Sequence, residues 1–254
     1  SGCVPQTEKR EKLSRIPLEK KRAMNILFPL LILFFAALLF LLAALYFLLL
    51  LPRFRSPDCS ALMGYFYAHR GFHNLKEGIP ENSMKAFRLA VEKGYGIELD
   101  VQLSADGIPV VFHDNTLARM CGVDRRVREL TLAELKALSL GGTEERIPTF
   151  QEFLEMVDGR VPLIVEIKME KWDARIPAAA NELLKEYKGP YCIESFHPGA
   201  LVWYRKHRPD VFRGQLCTNF NKEHLNHSLP YFLLGKMLTN IAARPDFIAY
   251  NWKY

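Results

Sequence analysis

Seven polar residues have the types and spacing needed to act on a phosphate ester. They are three carboxylates, two imidazoles and two cations: Glu98, Asp100 and Glu166; His69 and His113; Arg70 and Lys168. Three carboxylates with no cysteine among them suit a hard divalent cation such as Ca²⁺ or Mg²⁺. Two imidazoles suit proton transfer near neutral pH, and an arginine and a lysine suit an anionic phosphoryl group. Together these residue types indicate metal-assisted cleavage of a phosphodiester.

These polar residues fall where apolar strand-like runs end. His69-Arg70 follows one run, Glu166-x-Lys168 lies at the end of another, and Glu98 and Asp100 interrupt a third. Carboxylates two residues apart point to the same face of a strand. Side chains at the carboxyl ends of parallel strands converge on one rim, which carries the active site in a (β/α)8 barrel. We therefore expect the seven residues to meet there.

Strands alternate with helices throughout the part of the chain after residue 64. We predict strands near residues 65, 97, 163, 191, 213 and 247, and helices near 83–93, 132–138, 153–157, 176–187, 198–207 and 221–242. This alternation indicates an α/β fold with a parallel sheet. Periodicity does not distinguish a closed barrel from an open doubly wound sheet. The sequence contains neither a G-x-G-x-x-G fingerprint nor a P-loop, so the nucleotide-binding forms of the open sheet lose support.

A hairpin is predicted around Asp106-Gly107, a strong signal for a two-residue turn. With that turn, paired positions place Asp100 opposite His113. The hairpin would then bring an imidazole back to the level of the carboxylates. An edge hairpin with ordinary surface charges is the alternative, but unpaired carboxylates in an apolar strand would be costly.

At these residues the sequence resembles the glycerophosphodiester phosphodiesterase family. The resemblance covers roughly residues 64–250 and rests on motifs in a specific order: His69-Arg70-Gly71, Pro80-Glu81-Asn82-Ser83, Ala86-Phe87, Glu98-Leu99-Asp100-Val101, Asp106-Gly107, Pro109–Asp114 and Glu166-Ile167-Lys168. It implies a TIM barrel, one divalent cation, and hydrolysis of glycerophosphodiesters to glycerol 3-phosphate and an alcohol. It also implies that His69 and His113 are the acid–base pair. By the same resemblance Glu98, Asp100 and Glu166 are metal ligands, and Arg70 and Lys168 contact the phosphate.

Two alternatives to that activity remain open in the sequence. One is a lysophospholipase D-type enzyme, whose lipid substrate keeps an acyl chain. The other is a non-catalytic, membrane-anchored scaffold, for which loss of a histidine or a metal carboxylate would be the expected sign.

A closed barrel needs eight strands and only about six are predicted before Tyr254, so we expect an incomplete barrel that lacks the C-terminal part.

The charge of the chain is concentrated at its N-terminus. The 254 residues carry a formal net charge of +6, and residues 1–25 hold seven basic against three acidic residues. The rest of the protein is nearly balanced, which argues against a nucleic-acid partner. The five cysteines are scattered and have neither metal-ligand spacing nor the pattern of a disulfide framework.

An uncharged apolar run at residues 26–51 predicts one transmembrane helix, because about 20 apolar residues span a bilayer. The basic residues before it predict a cytoplasmic N-terminus and an extracytoplasmic catalytic domain at the cell membrane. We therefore divide the chain into a flexible basic tail (1–25), the membrane helix (26–51), a linker (52–63) and the phosphodiesterase domain (64–254).

Overall fold

A computed structural model describes residues 6–51, 53–220, 229–251 and 253. The chain divides into two units, Ser1–Leu51 and Pro52–Tyr254. The first unit is one helix, α1 (Gln6–Leu50), whose segment Arg22–Leu50 is long and apolar enough to cross a membrane. The helix thus continues into the region where a flexible tail was predicted. That region is rich in Lys, Arg, Glu and Leu, which are strong helix formers.

The second unit alternates strands and helices. Its elements in chain order are β1 (Tyr67–His69), α2 (Met84–Glu92), β2 (Gly96–Leu103), β3 (Pro109–Val111), α3 (Ala118–Cys121), α4 (Leu132–Ala137), α5 (Phe150–Val157), β4 (Leu163–Ile167), α6 (Arg175–Glu186), β5 (Tyr191–Ser195), α7 (Pro198–His207), β6 (Arg213–Cys217), α8 (Leu229–Gly235), α9 (Asn240–Ala243) and β7 (Phe247–Tyr250). The predicted helix at 221–242 corresponds to α8 and α9, and its first eight positions lie outside the described residues.

Six strands form a parallel sheet in the order β1-β2-β4-β5-β6-β7, and β3 pairs with β2 in the antiparallel sense. This is the predicted incomplete (β/α)8 barrel, a half-barrel of six parallel strands. Each crossover between parallel strands carries helices or the β3 excursion, as in βαβ units. The carboxyl ends of all six strands consequently face one side of the sheet.

The two faces of β2 show why this sheet forms a core on one side and a polar site on the other. Ile97, Leu99 and Val101 are fully buried and belong to the main hydrophobic core with Phe87 of α2 and Phe153 of α5. The alternate residues Glu98, Asp100 and Gln102 point to the opposite face because side chains alternate along a strand. The helices therefore cover the outer face, and the polar residues collect inside the barrel curve.

Three helices begin at residues whose side chains cap the first turn. The Ser83 hydroxyl accepts a hydrogen bond from the Ala86 backbone amide at the start of α2. Thr131 with Glu134, and Thr149 with Glu152, form complete capping boxes at the starts of α4 and α5. Such caps satisfy backbone amides that have no partner within the helix. They fix where each helix begins relative to the strand beside it.

The β2–β3 hairpin differs from the prediction by one residue. The paired positions are Val101 with Val111 and Leu103 with Pro109, so Phe112, and not His113, lies opposite Asp100. The turn has three residues, 105–107, between the hydrogen-bonded pair Ser104 and Ile108, with Gly107 at φ +80°. A three-residue loop that ends in a left-handed glycine is a common hairpin geometry. His113 therefore stands one residue beyond the level that was predicted.

Candidate active site

Three buried carboxylates meet on one face of the adjacent strands β2 and β4. One oxygen of each of Glu98, Asp100 and Glu166 lies within 4.8 Å of the others. Asp100 and Glu166 are register partners on the adjacent strands, and Glu98 lies two residues before Asp100 on the same face. Asp100 is completely buried, and the other two are nearly so. The sheet register alone brings these side chains together.

Two cations face the carboxylates. Lys168 Nζ lies 2.8 Å from Glu166 Oε2 and 3.1 Å from Asp100 Oδ1, and Arg70 Nε lies 3.7 Å from Asp100 Oδ2. The Asn82 side-chain amide donates a 2.9 Å hydrogen bond to Asp100 Oδ2. Although Lys168 is close to Oδ1, this buried oxygen makes no regular hydrogen bond with the described residues. A buried carboxylate oxygen with an unused acceptor site suits a metal ligand.

The pKa values of the three acids reflect their burial and their closeness to one another and to Lys168. Burial, followed by the charge of Asp100, raises the pKa of Glu98 to about 8. Burial also raises the pKa of Glu166 to about 8, against the opposing effect of Lys168. For Asp100 burial is outweighed by Lys168, His113 and the Asn82 hydrogen bond, which together lower its pKa. The site therefore favours added positive charge, and its all-oxygen donor set fits a hard divalent cation.

The two histidines lie on the same rim. His69 ends β1 and is the register partner of Glu98, with Nε2 3.9 Å from Glu98 Oε2. His113 follows β3, and its Nδ1 lies 2.6 Å from Asp114 Oδ1. Burial is the main cause that lowers the pKa of each imidazole, with Arg70 adding to it at His69 and Lys168 at His113. Both rings thus favour the neutral form near pH 7, in which one nitrogen can accept a proton.

The turn after β1 holds Arg70 in a strained conformation. Arg70 has φ +57°, its backbone amide donates a 3.0 Å hydrogen bond to Glu98 Oε2, and its guanidinium donates to Glu81 at 2.9 Å. Gly71 follows at φ +82°, and a Cβ there would lie 2.9 Å from the Ala86 Cβ. Non-glycine residues at positive φ persist where surrounding contacts fix them, commonly at functional sites. The glycine lets this turn approach α2 closely.

The structure brings all seven predicted residues to one rim, together with Glu194, which also follows a strand-like run in the sequence, and with Asn82 and Gln102, which the prediction of site residues did not include. Asn82 binds Asp100, and the Gln102 side chain donates to the backbone carbonyls of Phe112, His113 and Asp114. Glu194, the register partner of Glu166, adds a fourth buried carboxyl, and burial raises its pKa to about 8. Gln102 could have been predicted from strand periodicity, because Glu98, Asp100 and Gln102 are spaced two residues apart and lie on one face of β2. Asn82 depends on a long-range contact that has no local signal.

A cavity of about 640 Å³ opens beside this cluster. His113, Glu166 and Lys168 line one part of it, and Phe196 and Phe220 line another. A parallel half-barrel with acids, imidazoles and cations at the carboxyl ends of its strands has the architecture of a TIM-barrel site. Such a site can hold a cation, bind an anion and exchange protons.

Comparison with known families and structures agrees with that class. The model of the glycerophosphoryl diester phosphodiesterase family matches residues 69–243, and the chain belongs to this family. Glycerophosphodiester phosphodiesterases from Bacillus altitudinis and Caldanaerobacter subterraneus are 37% and 39% identical to it over 162 and 161 residues. Each match covers 59% of this chain. The chain spans 64% and 65% of the length of those two relatives.

A solved structure extends the similarity to the fold. The phosphodiesterase of Oleispira antarctica, solved in complex with the product sn-glycerol-3-phosphate, superposes with a TM-score of 0.57 at 27% identity. The match covers 74% of this chain and 93% of that one. The half-barrel is therefore the fold of a known phosphodiesterase structure.

Proposed function

We propose that the protein hydrolyses glycerophosphodiesters to sn-glycerol 3-phosphate and an alcohol. The observation that carries this proposal is the cluster of Glu98, Asp100 and Glu166 with the imidazoles of His69 and His113 on the same rim. The family membership supports it, as does the similarity to a phosphodiesterase whose structure contains sn-glycerol 3-phosphate. All the groups that a metal-assisted phosphodiesterase needs lie on one rim.

In this proposal the three carboxylates hold one divalent cation, Ca²⁺ or Mg²⁺. When bound, the cation would neutralise charge on the phosphate oxygens and make the glycerol hydroxyl more acidic. Arg70 and Lys168 contact the phosphate, because both point to the same cluster and carry hydrogen-bond donors for an anion. Asn82 and the carboxylates keep these cations aimed at the site.

His69 and His113 move the protons. One imidazole takes the proton of the glycerol 2-hydroxyl, whose oxygen forms a bond to phosphorus while the bond to the alcohol oxygen breaks. The other imidazole, which enters this step in its protonated form, donates that proton to the leaving alcohol and becomes neutral. Water then opens the cyclic phosphate with the two roles reversed, and the proton returns to the 2-oxygen. For His113 the contact of Nδ1 with Asp114 leaves Nε2 as the nitrogen that faces substrate.

The direct test measures sn-glycerol 3-phosphate released from glycerophosphocholine and glycerophosphoethanolamine. The chain is assayed after EDTA treatment and after Ca²⁺ or Mg²⁺ is added back. We expect metal-dependent release, reduced about 10²- to 10⁴-fold by His69→Ala and by His113→Ala, the usual contribution of a general acid or base. His207→Ala is the control, because its exposed ring stacks on Trp203 away from the rim. Full activity of either rim variant would contradict the assigned roles.

We also propose that the Arg22–Leu50 segment anchors the protein in the cell membrane. The support is its length, its apolar composition and the basic residues that precede it. The positive-inside rule then places the N-terminus in the cytoplasm and the half-barrel outside it. Protease added to intact cells should digest the half-barrel while an N-terminal epitope stays protected. Digestion of the epitope with protection of the half-barrel would reverse the orientation.

A further inference from the structure

A second cavity, of about 430 Å³, adjoins the candidate active site on the side of β5 and β6. Its lining residues come from the loops after β4, β5 and β6 and from the helix α8 and its surroundings: Met169, Glu170, Phe196, His197, Pro198, Phe220, Leu229, Pro230, Tyr231, Leu233, Leu234 and Thr239. Most of them are apolar. Glu170, the acid among them, is paired with Arg126 at 2.5 Å. We call this space the apolar chamber.

The apolar chamber adjoins the active-site cavity. The residues that line both cavities are Met169, Glu170, Phe196, His197, Phe220 and Tyr231. The active-site cavity extends from them to Lys168 and His113. The three shared aromatic rings form a chain, with centroids 6.4 Å apart for Phe196 and Phe220 and 5.2 Å apart for Phe220 and Tyr231. A substrate bound at the rim can therefore extend past these rings toward the chamber.

The wall changes character along this path. Four rings dominate the shared part, beside Met169 and the Glu170 carboxylate that is paired with Arg126. The residues that line only the chamber are mainly aliphatic, among them Leu229, Leu233 and Leu234. Aromatic faces alone would suit a quaternary ammonium group. An aliphatic interior beyond them offers no such attraction and is favourable only for a hydrocarbon.

The chemistry of a phosphodiester decides which part of the substrate enters. In a displacement at phosphorus the attacking and leaving oxygens lie on opposite sides. The glycerol hydroxyls need hydrogen-bonding partners, which the carboxylates and imidazoles on β1 to β4 supply. The leaving alcohol then extends in the other direction, past Lys168 toward Phe196. The apolar chamber is thus on the side of the alcohol.

We propose that the preferred substrates are glycerophosphodiesters whose alcohol carries an aliphatic chain, and that the apolar chamber binds that chain. This inference rests on the proposed phosphodiesterase activity and specifies its substrate class. The glycerol and phosphate occupy the polar rim, and Phe196, Phe220 and Tyr231 guide the chain into the chamber.

The test uses the full chain in lipid nanodiscs and a series of soluble diesters. Their alcohols are ethanol, butanol, hexanol and octanol, and glycerophosphocholine is assayed beside them. We expect kcat/KM to rise along the series, by up to about fourfold for each methylene that enters the chamber. A flat series, or a preference for glycerophosphocholine over the octyl diester, would overturn the inference and leave the proposed activity standing. Cleavage of no diester at all would instead contradict the proposed activity.

Two variants on α8 distinguish binding of the aliphatic chain in the chamber from its binding at the lipid surface. Leu233→Asp places a charge in the chamber wall at a partly exposed position. Phe232→Asp places the same charge on the neighbouring exposed residue, which does not line the chamber. We expect Leu233→Asp to abolish the gain from ethyl to octyl while keeping the rate on the ethyl diester, and Phe232→Asp to keep the gain. The same dependence of kcat/KM on chain length in both variants would contradict the inference.

A lysophospholipid with choline as its alcohol provides the remaining arm. It carries its chain on the glycerol, so the proposed orientation directs that chain away from the apolar chamber. We expect Leu233→Asp to leave the ratio of kcat/KM for this lysophospholipid to kcat/KM for glycerophosphocholine unchanged. A large gain that this variant abolishes would show that the chamber binds the glycerol side, and would overturn the inference.

Discussion

Asp100 and Glu166 lie side by side as register partners on two adjacent parallel strands, and both are buried. A single ammonium group, that of Lys168, lies 3.1 Å from Asp100 and 2.8 Å from Glu166. Like charges placed directly opposite on a sheet destabilise it unless a counter-charge compensates. With Glu98 on the same face, three carboxyl groups share the positive charges of Lys168 and Arg70, which leaves negative charge unbalanced when all three are ionised. This arrangement explains why a divalent cation is the expected ligand.

Cation binding should therefore stabilise the fold. We expect the melting temperature of the full chain to rise with Ca²⁺ or Mg²⁺, since a ligand at one hundred times its Kd stabilises by about 2.7 kcal/mol. Glu98→Gln removes one ligand charge without touching Lys168 and should abolish most of the rise in a thermal melt. Glu155→Gln, an exposed acid on α5, should keep it. An unchanged melting temperature of the wild-type chain with both cations would contradict a metal site here.

Much of this site follows from local sequence patterns. Glu98 and Asp100 are two residues apart in an apolar strand, so strand periodicity alone puts both on one face. His69 ends β1 and Lys168 follows β4, and parallel strands bring such positions to one rim. The capping residues Ser83, Thr131 and Thr149 also carry their signal within three or four residues. These features depend on neighbours along the chain, which a single sequence shows.

The features that differ from prediction depend on single-residue register or on distant partners. The predicted two-residue turn at Asp106-Gly107 has three residues, which moves every pairing of the hairpin by one position. Nothing in the turn sequence excludes either geometry, because Gly107 suits a left-handed position in both. Asn82 reaches Asp100 across 18 residues of sequence, and no local pattern indicates that contact.

Gln102 should position His113. Its buried side-chain amide donates to three consecutive carbonyls, those of Phe112, His113 and Asp114, at 2.8 to 3.2 Å. Gln102→Leu leaves these groups unsatisfied and should cost about 1–3 kcal/mol in the free energy of unfolding. We also expect kcat for diester hydrolysis to fall while the stabilisation by added cation persists, because the carboxylates stay in place.

Gln215→Leu is the matched control for that variant. The Gln215 amide holds the carbonyls of Ser195, Phe196 and Leu216 in the same way on β6, away from the His113 loop. Denaturant unfolding should give a similar loss of stability, and kinetics should give a smaller loss of kcat. Equal losses of kcat in both variants would mean that Gln102 acts only through overall stability.

Gly71 should be far less tolerant of alanine than Gly107. Both have nearly the same backbone conformation, φ +82° and +80°, so both substitutions incur the strain of a left-handed residue, about 1 kcal/mol. A Cβ at Gly71 would also lie 2.9 Å from the Ala86 Cβ, whereas the space beside Gly107 is open. We expect Gly71→Ala to lower the denaturation midpoint markedly more than Gly107→Ala. Equal shifts would show that the turn can move away from α2 at no cost.

Acid should remove the contribution of Glu81 to stability. Burial opposes its ionisation, but hydrogen bonds and charge from Arg119 and Arg70 prevail and lower the pKa of Glu81 below its ordinary value of 4.5. Because the folded pKa is the lower one, the stabilisation is present above pH 4.5 and is lost as the pH falls through the folded value. We expect about 1 kcal/mol, since Arg119 is half exposed and solvent screens the pair.

The measurement is the difference in unfolding free energy between the wild-type chain and Glu81→Gln across this pH range. Using the difference cancels the titration of the other carboxylates, which both proteins share. It should be close to its full value at pH 7, shrink below pH 4.5 and decrease in high salt. Glu155→Gln should show almost no difference at any pH, because that side chain is exposed on α5. A difference that grows as the pH falls would mean that Glu81 is destabilised by burial, and that Arg119 does not compensate for it.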